Sequence, residues 1–285
     1  MRPRSPLVGL LLAVALAVGA CAAPRAQVTS GSPERLRIHF LDVGQGDAVL
    51  IEAPAGRHVL IDAGPGSAIV GQLRELGVDT IDLFIATHNH ADHIGGAAAV
   101  LTAFPVRFFM DNGVPHTTAT YRNMLEAVAA RDVPLLEPEA RSITVGDVVL
   151  EILPPPGDPA LDHNDNSIGV VLAYGEFRAT FAGDAEDHLW RHWLAEIPEA
   201  IPEGVAVHKA SHHGSRNGDS REALRRVRPR LVVISAAAEN LYGHPHAEAL
   251  ALYREVGAAV LFTGSVGTVT VEARTDGDFE VRTSR

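Results

Sequence analysis

Apolar positions along this chain come in two rhythms, and the places where one gives way to the other divide it into elements. Over residues 36–43, 48–53 and 58–62 they form short runs typical of half-buried or buried strands, with Pro54-Ala55-Gly56 as the turn between the last two. A helical period follows over 67–76 and stops at Gly77, and residues 81–86 return to a strand. Residues 94–101 start the next helix, 106–110 a strand, 121–131 a helix, and 143–153 a hairpin around Gly146-Asp147. Residues 167–173 and 178–182 pair across Tyr174-Gly175-Glu176 and carry Asp184 to a strand end. The last third alternates helices (186–195, 221–227, 247–256) with strands (205–208, 231–235, 260–262, 268–272).

Hairpins together with strand–helix alternation in both halves predict an α/β fold of two stacked mixed sheets with helices outside. Residues 35–285 fit a single domain of that class, with no second linker. The start of the chain has another character. Met1-Arg2-Pro3-Arg4 is basic, and residues 7–19 form an apolar run too short to span a bilayer, which predicts a signal peptide over residues 1–20. Val18-Gly19-Ala20-Cys21 resembles a bacterial lipobox, with Cys21 as the acylated first residue of the mature protein. Residues 21–34, rich in Ala, Pro, Ser and Gly, then read as a tether. The expectation is an exported envelope lipoprotein held to a membrane through Cys21, with no transmembrane domain after cleavage; the alternative is cleavage near Ala23 and no anchor. Cys21 is the only cysteine, so no intramolecular disulfide can form.

The formal net charge is −11, and loss of the leader would remove Arg2 and Arg4 but no acids. Such a surface is poor for duplex DNA, whose binding rests on Lys and Arg against phosphate, and 5% aromatic residues supply few stacking platforms. Nuclease activity on single strands stays open, whereas tight DNA binding is not expected.

The chemistry concentrates in Thr87-His88-Asn89-His90-Ala91-Asp92-His93-Ile94-Gly95-Gly96, directly after the 81–86 strand. In an extended loop His88, His90 and Asp92 point one way and His93 the other, so one cluster can serve two cations. Imidazole and carboxylate suit borderline divalent ions. Two such ions about 3.5–4 Å apart can hold a hydroxide and polarise the bond it attacks. The competing reading is a histidine-rich surface loop.

This pattern resembles the His-x-His-x-Asp-His signature of the metallo-β-lactamase superfamily. Phe40-Leu41-Asp42-Val43-Gly44-Gln45-Gly46-Asp47-Ala48, Leu60-Ile61-Asp62-Ala63-Gly64, Phe181-Ala182-Gly183-Asp184-Ala185-Glu186, Lys209-Ala210-Ser211-His212-His213-Gly214-Ser215 and Tyr242-Gly243-His244-Pro245 are similar to one branch of it. That branch is the ComEC-type hydrolase domain of DNA-uptake competence proteins, and it also contains secreted phosphorylcholine esterases. The resemblance implies a four-layer αβ/βα sandwich and two divalent cations, zinc first and manganese as the alternative. It implies that His88 and His90 hold one ion, Asp92 and His93 the other, that Asp184 bridges them, and that His244 completes the second. The third imidazole of the first ion is left between His163, in His163-Asn164-Asp165-Asn166-Ser167, and the His212-His213 loop.

Asp92, His212, His213 and Lys209 are the candidates for catalysis. His212 and His213 precede a Gly-Ser turn that could aim an imidazole and backbone N–H groups at a phosphate oxygen and protonate a leaving alkoxide. Lys209 is the chain's single lysine, a compact cation suited to phosphate, although chance placement is the competing reading. Asp62 is expected to accept a hydrogen bond from a ligand imidazole. Gly44-Gln45-Gly46-Asp47 reads as a tight turn, and His39, His58, His116, His188, His192, His208 and His246 as ordinary histidines. The functional expectation is an exported di-metal phosphodiesterase acting through a metal-held hydroxide on single-stranded nucleic acid or a surface phosphodiester. The alternatives are amide or lactone hydrolysis at the same site, including β-lactamase activity, and a non-catalytic envelope binding protein.

Overall fold

Both faces of the first strands are apolar because both faces are covered. In the computed structural model, which describes Met1 and residues 35–285, Leu36, Ile38 and Phe40 of β1 (Leu36–Phe40) face a second sheet. Leu50 of β2 (Val49–Ala53) and Leu60 of β3 (Arg57–Ile61) point the opposite way, toward helices. That is why these runs read as nearly continuous rather than alternating. The leader, the tether and Cys21 lie outside the described residues, apart from Met1. No helix among the described residues is long and apolar enough to cross a membrane.

The first sheet runs β14-β13-β1-β2-β3-β4-β5, with β4 (Leu83–Ile85) and β5 (Phe109–Met110) parallel to β3, and β13 (Val269–Ala273) and β14 (Phe279–Thr283) as an antiparallel pair beyond β1. The second runs β12-β11-β10-β9-β8-β7-β6. Here β6 (Arg141–Val145), β7 (Val148–Leu153), β8 (Gly169–Tyr174) and β9 (Phe177–Phe181) are antiparallel neighbours, while β10 (Val207–Lys209), β11 (Leu231–Ile234) and β12 (Ala259–Phe262) continue in parallel. Side chains from both sheets meet in a middle core, where Phe40 stacks on Phe181 with ring centroids 6.0 Å apart.

Helices close the two outer faces. α1 (Ile69–Glu75), α3 (Ala97–Ala103) and α4 (Ala119–Ala130) bury Leu73, Val100, Leu101 and Met124 against the first sheet. α5 (Asp187–Glu196), α6 (Arg221–Val227) and α7 (Ala247–Glu255) bury Trp190, Trp193, Leu224 and Tyr253 against the second. The result is the expected four-layer αβ/βα sandwich.

Three local expectations need correction. Residues 91–94 are not extended: they form the helical turn α2 (Ala91–Ile94), closed by Ile94 N to His90 O at 3.0 Å, so Asp92 and His93 are separated by helical twist rather than strand alternation. The strand expected over 106–110 keeps ladder pairing only at Phe109 and Met110. β14 was not foreseen, because as a largely exposed edge strand it shows little apolar alternation.

Candidate metal centre

Five strands end on one rim of the sandwich. Asp62 follows β3, Thr87 and His88 follow β4, Asp184 follows β9, the Ser211–Gly214 turn follows β10, and Ser235 follows β11. The carboxyl ends of parallel strands are where open α/β sheets place their ligands. Gly183 lets two of these segments approach, because with φ of +55° a Cβ there would lie 2.8 Å from Thr87 Oγ1.

Two donor groups converge on the rim: His88, His90 and Asp184 in one, and His93, Asp184 and His213, with Asp47, in the other. Asp184 belongs to both and stands between them. His88 Nε2 lies 3.1 Å from His90 Nδ1 and 3.8 Å from Asp184 Oδ2. His93 Nε2 lies 3.2 Å from Asp184 Oδ1, and His213 Nε2 lies 3.4 Å from Asp184 Oδ2 and 3.1 Å from Asp92 Oδ2. A tetrahedral ion with bonds of about 2.0–2.1 Å separates its ligand atoms by roughly 3.3 Å, so these are spacings that one ion imposes on its donors. His93 Nε2 and Asp184 Oδ1 are buried and make no hydrogen bond to any described residue, the condition of atoms waiting for a cation. The residues therefore fit two divalent ions.

The far edges of the same rings are held by protein. Asp62 Oδ2 lies 2.8 Å from His93 Nδ1, and Asp62 also accepts from Thr87 N and Oγ1, so it ties the metal loop to β3 as expected. Ser235 O lies 2.9 Å from His213 Nδ1, and Asp47 Oδ1 lies 3.3 Å from it. Because Asp47 addresses Nδ1 atoms while Asp184 addresses Nε2, Asp47 sits behind the rings rather than among the groups around the same ion. Such outer carboxylates fix ring orientation and raise ligand basicity.

The electrostatics follow from crowding four carboxylates into a buried site. Burial alone would lower the imidazoles of His93 and His213, but Asp184, with Asp62 for the first and Asp47 for the second, holds both well above the ordinary value. Burial would raise Asp184, yet His213 and His93 hold it well below the carboxylate range. Burial and the charge of His93 keep His88 well down. A cation bound among these donors would compete with protons on His93 and His213 for the same carboxylate field.

Several expected site residues stand elsewhere. His244 is in neither converging donor group, whereas His213 is in one, and the His244 ring stacks on that of His213 at 5.9 Å and 27°. Lys209 does not reach the cleft: it is 2% exposed on β10 and ion-paired with Asp47, which explains the lone lysine as a buried counter-charge. Burial would lower its ammonium, but Asp47 and Asp184 raise it, so it stays charged. His163 is not in either donor group; its ring lies 5.7 Å from that of His90 and 4.3 Å from that of His116, and its Nδ1 has no hydrogen-bond partner among the described residues. His212 lines the cleft, its Nε2 3.9 Å from Asp184 Oδ2 and its Nδ1 3.1 Å from Glu186 Oε1. The sequence reading missed Asp47, whose only local signal was an acid ending a Gly-x-Gly turn beside buried β2.

His212 and His213 both adopt left-handed backbone, with φ of 47° and 56°. For non-glycine residues this conformation is strained and persists only when its surroundings over-determine it. Asp219 does this from behind: it accepts from Ser211 N at 3.2 Å, Ser211 Oγ at 2.6 Å and Tyr253 Oη at 2.8 Å, and pairs with His208 Nε2 at 2.9 Å.

Comparison with known proteins agrees with this architecture. A family model described as the metallo-beta-lactamase superfamily matches residues 41–238. ComE operon protein 3 of Bacillus subtilis is 27% identical over 255 residues, covering 81% of this chain and 32% of that protein. Recombination protein 2 of Haemophilus influenzae is 26% identical over 246 residues, covering 82% and 28%. The chain therefore spans about a third of the length of these curated relatives. Among solved structures, CmlA, a diiron β-hydroxylase from Streptomyces venezuelae, superposes with a TM-score of 0.56 at 17% identity, over 85% of this chain and 55% of that one, a likeness of fold alone.

Proposed function

This chain belongs to the metallo-β-lactamase superfamily, and on that footing we propose that it is a di-metal phosphodiesterase. His88, His90 and Asp184 would hold one divalent ion and Asp92, His93, His213 and Asp184 the other, with zinc as the first candidate for an all-nitrogen and oxygen donor set and manganese as the second. Two bound cations supply a Lewis-acid clamp for a phosphoryl oxygen and lower the pKa of water. The net reaction adds water across one P–O ester bond: a new P–O bond forms, the old one breaks, and the released oxygen takes a proton.

The chain's own residues account for the rest. Asp62 and Asp47 fix the rings of His93 and His213, so the donors need little rearrangement. His212 is free of the donor groups yet lines the cleft beside Asp184, with Glu186 Oε1 3.1 Å from its Nδ1. That position suits a group that binds a phosphoryl oxygen or gives the leaving oxygen its proton. This is the observation that carries the reading: an imidazole outside both donor groups, 3.9 Å from Asp184, where a phosphoryl or leaving-group oxygen would lie. Export by the leader and anchoring through Cys21 belong to the same proposal, as does single-stranded nucleic acid as a substrate, in keeping with the competence-type relatives.

The test joins metal analysis to a substrate panel. Two metal equivalents, turnover of bis(4-nitrophenyl) phosphate, and no turnover of nitrocefin or an aryl lactone are expected. His212→Gln should lower kcat by about 10²- to 10³-fold while leaving both metals bound. A metal-replete protein that leaves the phosphodiester intact and opens the lactam or lactone overturns the assignment.

A further inference from the structure

Three near-parallel rings lead outward from the donor set. His213 is buried at the metal centre, His244 stacks on it at 5.9 Å and 27°, and Tyr242 stacks on His244 at 5.6 Å and 20°. Exposure rises along the series from 2% through 8% to 64%. Neither His244 nor Tyr242 is needed to close the core. Both line the same cleft of about 360 Å3 as Asp92, Asp184 and His212. The middle ring is held between the other two, so the stacked faces lead from the donor set to the exposed Tyr242.

The segment that carries these rings is ordered by one side chain. Asn240 Nδ2 donates to Ala237 O at 2.9 Å and His244 O at 2.7 Å, while its Oδ1 accepts from Tyr242 N at 3.2 Å and His244 N at 3.0 Å. A large exposed aromatic on a loop tied at four points is preorganised, so a ligand laid against it loses little to ordering. Elsewhere on the cleft wall Gln45 presents a buried side-chain N–H with no hydrogen-bond partner among the described residues, a donor suited to a polar ligand atom.

We propose that Tyr242, backed by His244, is a specificity-determining platform that stacks the base of one nucleotide while its phosphodiester sits on the metal centre. This rests on the phosphodiesterase reading and narrows it to esters carrying a nucleobase. The cleft volume suits a single nucleotide rather than a tract, and no lysine or arginine is among the residues that line it to hold a strand by its phosphates. Recognition must then come from the base next to the scissile bond. A duplex cannot present that base, since it is paired and stacked within the helix. Stacking on an aromatic side chain tolerates any base, so the platform selects single strands without reading sequence.

The experiment uses the metal-loaded protein and two fluorescein-labelled tetranucleotides with slowly cleaved phosphorothioate linkages, one of thymidine and one of abasic sites, which share backbone charge and differ only in the bases. Fluorescence polarisation should show tighter binding of the thymidine strand. Tyr242→Ala should weaken that strand about 5- to 100-fold and leave the abasic strand unchanged, and Tyr242→Trp should restore the preference. Equal binding of both strands by the unaltered protein, or a Tyr242→Ala variant that keeps the preference, overturns the platform. Hydrolysis of the ordinary phosphodiester strands is measured separately. A protein that prefers the thymidine strand but cleaves neither keeps the platform and loses the phosphodiesterase reading, and one that cleaves both without preference does the reverse.

Discussion

Replacing Lys209 with methionine tests whether the buried charges behind the metal centre act as a set. Lys209 and Asp47 are 2% exposed each, and their ion pair is the direct neutralisation of Asp47 away from the histidines. Removing one partner of a buried pair costs about 3–5 kcal/mol, chiefly because the other charge is left without compensation. Asp47 would retain His213 Nδ1 at 3.3 Å and His93 Nδ1 at 4.0 Å, so the loss should fall near the lower end, about 3 kcal/mol. For a chain of this size that is a fall of roughly 6–12 °C in Tm. Asp47→Asn should cost less, because Lys209 also feels the charges of Asp184 and Asp62. The double variant, with neither charge, should recover most of the loss. Trp190 and Trp193 are buried and report unfolding by fluorescence, read with and without EDTA. A Lys209→Met variant within about 1 kcal/mol of the parent, or a double variant whose loss is the sum of the singles, would refute the reasoning.

Three further outcomes follow from the same geometry. Asp219→Asn replaces an acceptor oxygen with a donor in front of Ser211, Tyr253 and His208; it should cost about 2–4 kcal/mol in urea denaturation and weaken metal binding through the His212-His213 turn, whereas Tyr253→Phe should cost about 1 kcal/mol. Asp184→Asn should reduce bound metal from two equivalents in equilibrium dialysis, and zinc at about 100 times its Kd, which should stabilise the parent by about 2.7 kcal/mol, should stabilise the variant far less. In the metal-free protein, raised pKa values of His93 and His213 give stability that is complete below the unfolded imidazole value of about 6.5 and is lost as pH rises through their higher folded values. The lowered pKa values of Asp92 and Asp184 give stability present above the unfolded carboxylate value of about 3.9 and lost as pH falls through their folded values. Melting temperature against pH, with EDTA, should therefore decline on the alkaline side, and that decline should vanish when metal replaces the protons.

The sandwich was legible because its strands are buried on both faces and its helices keep their period, as in residues 36–43 and 221–227. β14 was not, since only Phe279 and Val281 mark it and its other residues meet water. The dense His88–His93 cluster announced metal chemistry by itself, and the acid after Gly183 announced a strand exit. What spacing could not decide was whether His163 or the His212-His213 loop adds an imidazole to the centre, because only the left-handed turn after β10 brings His213 against Asp184. Asp47 and Lys209 were opaque for a related reason. Each looks local in the chain, a turn acid and a strand lysine, and their pairing exists only when β10 comes to lie beside the segment that leads into β2.

The ladder from Leu36 opposite Ala273 to Phe40 opposite Val269 gives the protein a late-closing seam. A nascent chain emerging from the ribosome carries β1 with an unfilled hydrogen-bonding edge until residues 269–273 have been made. Everything between β1 and β13, including the entire second sheet, is in effect an insertion between two halves of one pairing. A product broken off before Val269 would hold every candidate cation donor and still display a raw strand edge to proteases and to other copies of itself.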